Sequence, residues 1–369
     1  MLRIGIAGCG KIADSHALQI QRVGGCEIVA ACDREPLMAQ QFSERFSVGQ
    51  SFTGIEELVE VARPDVVHIT TPPASHFAIA KHCLENGCHV YVEKPFVLDA
   101  HEARILIDLA TERGLKLTVG HNYQFNPAAR RMRALIKEGY LGGTPVHMES
   151  YYGYDLGDPS YARALLGDKQ HWVRKLPGKL LQNIISHGVA RIAEFLSGED
   201  PSVIATGVPS AMLKGLGEEE IVDELRVMIR NEEGTTAYFT FSSQMKPVLH
   251  EFRIYGPKNG LILDQNHEVL LRLRGTKFKS YADFFIPPLI SAKQQMANWS
   301  GNLSLFMKRD FHMDAGMKFL IESFYRSILD DSPVPIPYEE IILTTRIMDK
   351  IFEQIHVAEP EHHATAVTG

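Results

Sequence analysis

The run Ile4-Gly5-Ile6-Ala7-Gly8-Cys9-Gly10-Lys11-Ile12-Ala13 constrains the fold more than any other part of the chain. It reads as a buried β-strand that enters a GxGxxA turn and then opens a helix. Gly8 permits the tight turn, Gly10 lets the backbone approach a pyrophosphate, and Ala13 keeps helix and strand close. The helix N-terminus supplies free N–H groups and positive dipole for an anion. Such a unit is built into a parallel, doubly wound sheet, so the N-terminal part is expected to be a dinucleotide-binding α/β domain.

The text that follows keeps this rhythm. Short apolar or β-branched runs at Leu2 to Ala7, Ile28 to Cys32, Val66 to Thr70, Val90 to Val92 and Lys116 to Val119 read as strands. Between them, Lys11 to Val23, Pro36 to Phe46, Ile55 to Ala62, Ser75 to Asn86 and Asp99 to Arg113 read as helices, with Pro36 at a first turn and Asp99 as an N-cap. After Gly120 the character changes. A helix around Pro127 to Glu138 and a strand near Thr144 to Tyr151 lead into an irregular polar and aromatic stretch that ends at Lys179. A helix from about Leu180 to Leu196 is expected next, then strand after strand from Pro201 to about Leu273, an antiparallel sheet. Arg274 to Leu305 shows little periodicity, and helices return at Met313 to Leu329 and Glu339 to Phe352. The expected division is residues 1–121 for the first domain and 122–356 for a second α/β domain with an open, mostly antiparallel sheet. A mobile tail is expected over 357–369.

Composition narrows the functional classes. The chain has 369 residues, enough for two domains with substantial cores. With 38 basic against 45 acidic residues and no Lys/Arg block to follow a phosphate backbone, nucleic acid is not an expected partner. No run reaches the roughly 18 apolar residues of a membrane helix, and the N-terminus reads as strand and turn, not as a signal peptide. Five cysteines crowded into the first quarter without a CxxC pair read as reduced core thiols, so a cytoplasmic location is expected. The histidines His16, His68, His76, His82, His89 and His121 fall on different elements, so no metal site is expected.

Asp33 ends the second strand about 20 residues past the glycines, where a carboxylate accepts hydrogen bonds from ribose hydroxyls and repels a 2′-phosphate. NAD is expected, with Arg34 beside it leaving NADP possible. At the end of the next strand but one, Tyr91-Val92-Glu93-Lys94-Pro95 places Lys94 at the carboxyl edge of the sheet, where ligands of such folds bind.

Taken with the GxGxxA start, Pro64-Asp65-Val66-Val67 before Thr70-Thr71-Pro72-Pro73, His76, and Val119-Gly120 at the change of domain, this motif resembles the glucose-fructose oxidoreductase and inositol dehydrogenase (Gfo/Idh/MocA) family over nearly the whole chain. The resemblance implies a Rossmann domain followed by an α/β domain whose open sheet commonly serves for subunit pairing, hence a homodimer or homotetramer. It implies that Lys94 contacts the substrate hydroxyl and the nicotinamide ribose, with Glu93 and Pro95 setting its position. With the glycine motif, the cofactor-contacting set becomes Gly8, Gly10, Lys11, Ile12, Asp33, Arg34, Thr71, Pro72, His76, Glu93 and Lys94. The family's helix carrying an acid four residues before a histidine corresponds to Leu180-Leu181-Gln182-Asn183-Ile184-Ile185-Ser186-His187-Gly188. His187 matches the proton acceptor, whereas the acidic positions hold Asn183 and Ala190. An amide orients the ring without adding charge, so His187 is expected to hold its proton less firmly than an acid-paired histidine.

The activity so implied is hydride transfer between NAD and a secondary hydroxyl of a sugar, polyol, sugar acid or nucleotide sugar. His187 would take or return the hydroxyl proton and Lys94 would stabilise the alkoxide, with Asn183 beside them. Substrate contacts are expected from Asn122, Gln124, Tyr152, Trp172, Arg174 and Asn183, within an aromatic stretch that also holds Tyr151, Tyr154, Tyr161 and His171. Arg163, Arg174, Lys175 and Lys179 form a local positive stretch that suits an anionic substrate. The resemblance also admits glycoside hydrolases that use a held NAD for transient oxidation. Loss of the acids at Asn183 and Ala190 leaves open a dinucleotide-binding protein without turnover.

Overall fold

The computed structural model describes residues 1–308, 311 and 314–356, the side chains of Tyr161, Ala164 and His356 excepted; the tail from 357 lies outside the described residues. Two sheets organise the chain. The first has six parallel strands, β1 (Leu2–Ala7), β2 (Cys26–Cys32), β3 (Gln50–Phe52), β4 (Val66–Ile69), β5 (His89–Val92) and β6 (Leu117–Val119), in the order β3-β2-β1-β4-β5-β6. The order reverses between β1 and β4, which opens a crevice at the carboxyl ends of those strands. Strand β4 is buried at every position, His68 included, as in a strand covered on both faces. Pro36 opens the helix Pro36–Phe46, and Asp99 caps the helix Ala100–Glu112 by accepting the Glu102 N–H at 2.8 Å.

The second sheet has seven strands in the order β13-β12-β11-β7-β10-β9-β8. They are β7 (His147–Gly153), β8 (Ser202–Val208), β9 (Glu224–Arg230), β10 (Thr236–Ser242), β11 (His250–Tyr255), β12 (Asn259–Asp264) and β13 (Val269–Arg274). Neighbours are antiparallel except the central pair β7 and β10, which run parallel. In β9 the buried residues Leu225, Val227 and Ile229 alternate with exposed ones, so one face is packed and the other left open. Helices Ser186–Ala193 and Tyr338–His356 cover the packed face.

Four expectations change. The helix expected over Leu180 to Leu196 is two pieces, Lys179–Ile184 and Ser186–Ala193, joined through Ile185. The irregular stretch before Lys179 contains the helix Pro159–Leu166, capped by Asp158. The short edge strand β3 gives no apolar alternation, since it is exposed or half-buried throughout. Arg274 to Leu305 is largely one helix, Ala282–Met307, whose apolar positions do not face the sheet and so leave no inward stripe in the text.

The chain returns to the first core after β13. Met317, Leu320, Ile321, Phe324 and Tyr325 of the helix Ala315–Leu329 pack with the strands of the first sheet. Helix Tyr338–His356 then reaches both cores, with Ile341 and Ile342 in the first and Ile347, Ile351 and Phe352 in the second. The two layers are therefore joined at their backs, while β5, β6 and the helix break at Ile185 meet at the front.

Candidate active site

The glycine turn forms as its residues require. Gly8 has φ of +92°, and a Cβ there would stand 2.9 Å from the backbone of Thr70 and Thr71. Gly10 caps the helix Lys11–Ile20 without a side-chain hydrogen bond, and a Cβ on it would meet nothing within 4 Å. The first N–H groups of that helix thus face open space at the switch point, a ready site for a pyrophosphate. Lys11 and Ile12 lie exposed on the first turn. The Asp33 carboxylate is held by the Cys9 N–H at 2.8 Å and the Glu35 N–H at 3.0 Å, and each oxygen keeps capacity for a ribose hydroxyl. Arg34 is exposed beside it, and Thr71 and Pro72 form the rim after β4. Open space at Gly10 and an anchored carboxylate at Asp33 fit a dinucleotide.

His76 serves this loop from behind. Its buried ring lies 2.9 Å from the Thr71 carbonyl and 2.9 Å from the Pro95 carbonyl, tying the Thr71–Pro72 rim to the turn that carries Lys94. Glu93 is buried behind that turn. It accepts the Lys94 N–H at 3.1 Å and lies 2.9 Å from His16 Nε2. Burial pushes the Glu93 carboxyl up, but His16 and Lys94 together hold it below its ordinary value. A Cβ on Gly120 would stand 2.6 Å from Glu93 Oε1, so glycine at the end of β6 makes room for this carboxylate. His16 in turn meets His68, which meets Tyr325, both at 2.8 Å, so histidines from separate elements join in one buried chain.

Lys94 reaches across to the second layer, where Nζ donates to the Asn183 carbonyl at 3.0 Å. Burial lowers its pKa, with Glu93 opposing. Asn183 takes part through its backbone and not, as expected, through its amide against His187, because the helix breaks between them. His187 opens the next helical piece. Its ring stacks on Tyr123 at 4.4 Å, and Nδ1 is buried without a hydrogen-bond partner. Burial, then Lys94, His121, Arg191 and His250, hold its pKa well below the ordinary value. The weak proton affinity expected from Asn183 is present, but surrounding cations and burial produce it.

Three residues of this cluster escaped the sequence reading. His121, just past β6, is 2% exposed with neither ring nitrogen bonded, and burial lowers its pKa to about 4. Arg191 is likewise 2% exposed, donates to Gln265 at 2.8 Å and to the Tyr151 carbonyl at 3.2 Å, and lies over the Tyr152 ring. Among the described residues it has no carboxylate partner. Its signal was present: Arg191 stands four residues after His187 in an otherwise apolar helix, hence on the same face. His250 stacks on Tyr152 at 4.6 Å.

The expected substrate residues divide. Tyr152 lies in the cluster beside His187 and His250, and Asn122 presents a buried, unbonded Oδ1 next to Tyr123. Gln124 does not join them: its amide is engaged by Glu340 at 2.5 Å and Glu194 at 3.2 Å. Arg174 pairs with Glu218 and donates to the Leu166 carbonyl, and Lys179 lies 3.8 Å from Glu220, so these two cations of the basic stretch are paired with their own neighbours. Trp172 is part-exposed beside His171, and the Tyr161 side chain lies outside those described.

A glycine-turn Rossmann sheet facing a mixed, mostly antiparallel sheet, with a lysine and a histidine converging from opposite layers, defines a two-domain nicotinamide oxidoreductase. Residues 2–121 match the oxidoreductase family with an NAD-binding Rossmann fold, and residues 129–262 match the GFO/IDH/MocA C-terminal domain. The chain belongs to the Gfo/Idh/MocA family of oxidoreductases. It is 26% identical over 265 residues to 1,5-anhydro-D-fructose reductase of Ensifer adhaerens, covering 71% of this chain and 75% of that one. To inositol 2-dehydrogenase of Rhizobium meliloti it is 23% identical over 273 residues, 74% of this chain and 78% of the relative. The WlbA dehydrogenase of Bordetella pertussis, solved with NADH and UDP-GlcNAcA, has the same fold at a TM-score of 0.76, with 18% identity over 96% of both chains. Among the described residues no helix is long and apolar enough to cross a membrane.

Proposed function

We propose that the protein transfers hydride between NAD and a secondary hydroxyl of a sugar, polyol, sugar acid or nucleotide sugar. The carrying observation is the contact of Lys94 Nζ with the Asn183 carbonyl, which brings the ammonium of one layer beside the break that presents His187 from the other. When bound, NAD supplies the hydride acceptor. Gly8 and Gly10 shape the turn for its pyrophosphate, Lys11, Ile12, Thr71 and Pro72 border it, and Asp33 accepts the ribose hydroxyls. Repulsion of a 2′-phosphate by Asp33 favours NAD over NADP, with Arg34 softening the preference.

His187, held neutral, takes the hydroxyl proton, and Lys94 stabilises the oxygen as charge develops on it. Arg191 adds positive charge, with no carboxylate partner among the described residues. Tyr152, Asn122 and the Asn183 region border the hydroxyl-bearing ring, for which aromatic faces and amide edges are suited. The named substrates of relatives, an anhydro-sugar and an inositol, support a polyhydroxylated carbon chain or ring as the class.

The test is a panel of polyols, sugars, sugar acids and nucleotide sugars mixed with NAD, followed by nicotinamide absorbance. At least one member is expected to turn over, and Lys94→Ala or His187→Ala to lower kcat by about 100-fold or more. Normal turnover by either variant removes the proposed roles. Cleavage of a glycoside without net reduction of NAD replaces the dehydrogenase reading with a hydrolytic one.

A further inference from the structure

The helix Ala282–Met307 is attached by its polar side. Gln294, Asn298 and Asn302, spaced four apart, form one stripe against the free edge of β13. Gln294 Oε1 accepts the Arg272 N–H at 2.7 Å and its Nε2 donates to the Arg272 carbonyl at 3.2 Å. Asn298 does the same with Leu270, at 3.2 and 3.0 Å, and Asn302 donates to the His267 carbonyl at 2.9 Å. These amides satisfy an edge that would otherwise offer a row of unpaired backbone groups. The helix is thereby turned inside out, since the positions roughly opposite the stripe, such as Phe285, Leu289, Met296, Trp299 and Leu303, point to solvent.

An ordinary surface helix buries its apolar side. Here Tyr281, Phe285 and Trp299 are each 61% to 76% exposed on that side. At about 150–250 Å² per aromatic side chain, they leave about 300–500 Å² of apolar surface bare before Leu289, Met296 and Leu303 are added. A monomer's largest patch is about 300–600 Å², and a stable interface covers about 800 Å² per partner. From Tyr281 to Met307 the only charged residues are Asp283 and Lys293. That poverty of charge disfavours a lipid surface, whose interfacial helices display many Lys and Arg. It suits a surface that packs on a second copy about a two-fold axis, where a charge near the axis would meet its own like-charged counterpart.

We propose that this helix is a contact between two copies of the chain, packed antiparallel about a two-fold axis and separate from the open face of the second sheet. The mid-helix residue Met296 then lies near its own counterpart.

Sedimentation velocity on the full chain tests this. The parent is expected to sediment as a dimer or tetramer, and Phe285→Glu/Trp299→Glu to halve its mass while retaining its circular dichroism. Tyr238→Glu, on the open sheet face, is expected to keep the helix contact, so that variant's mass does not fall to that of a monomer. As a second variant that keeps the apolar surface, Met296→Cys is expected to give a covalent dimer under mild oxidation, which the parent does not. A monomeric parent, an unchanged mass for the double variant with no Met296→Cys cross-link, or a monomer that binds phosphatidylcholine vesicles through this helix overturns the proposal.

Discussion

Residue by residue, the cleft is an arrangement for keeping an imidazole neutral. His187 faces Lys94, His121, Arg191 and His250, and no carboxylate is among the groups that set its pKa. A base of this kind works down to a pH below the ordinary histidine range, because its neutral form persists there. The acid limb of the kcat/KM profile is therefore expected below pH 6.5. Arg191→Gln removes one opposing cation and should move that limb upward. A limb that stays in place in the variant shows that the Arg191 charge does not reach the base. Lys94 and His187 were legible in the sequence because short motifs carry them. His121 and Arg191 were not, because each looks like an ordinary residue at a strand end or in a helix until the two layers close around it.

At the level of elements, legibility followed burial. The central strands of the first sheet are largely buried and largely apolar, so β1, β2, β4, β5 and β6 stand out, whereas the half-exposed β3 does not. The break at Ile185 has no glycine or proline to announce it, and its effect is chemical: it replaces an expected amide-to-imidazole contact by a carbonyl that holds Lys94. The helix Ala282–Met307 was hidden for another reason. Sequence periodicity assumes that apolar positions face inward, and in this helix an Asn/Gln stripe does so instead.

For the whole molecule, helix Tyr338–His356 is the tie between layers, and at its start Glu340 is buried against Gln124 and near Glu194. Burial, then the charge of Glu194, raises the Glu340 carboxyl from 4.5 to about 8. The folded state thus holds a proton that the unfolded chain releases. The resulting stability is fully present below pH 4.5 and is lost as pH rises through 8. Glu340→Gln imitates the protonated form, so its unfolding free energy should exceed the parent's by an amount that grows across that window, by up to about 5 kcal/mol. Urea titrations at several pH values check this, and a difference independent of pH shows that Glu340 is not the titrating group.

The central claim is that one cleft joins the glycine turn, Lys94 and His187. A crystal structure of the protein soaked with NAD tests it most directly. The account predicts the pyrophosphate at the Gly8–Gly10 turn, the adenosine ribose on Asp33 and the nicotinamide between Lys94 and His187. A nicotinamide bound elsewhere, with those two side chains turned from it, contradicts the account.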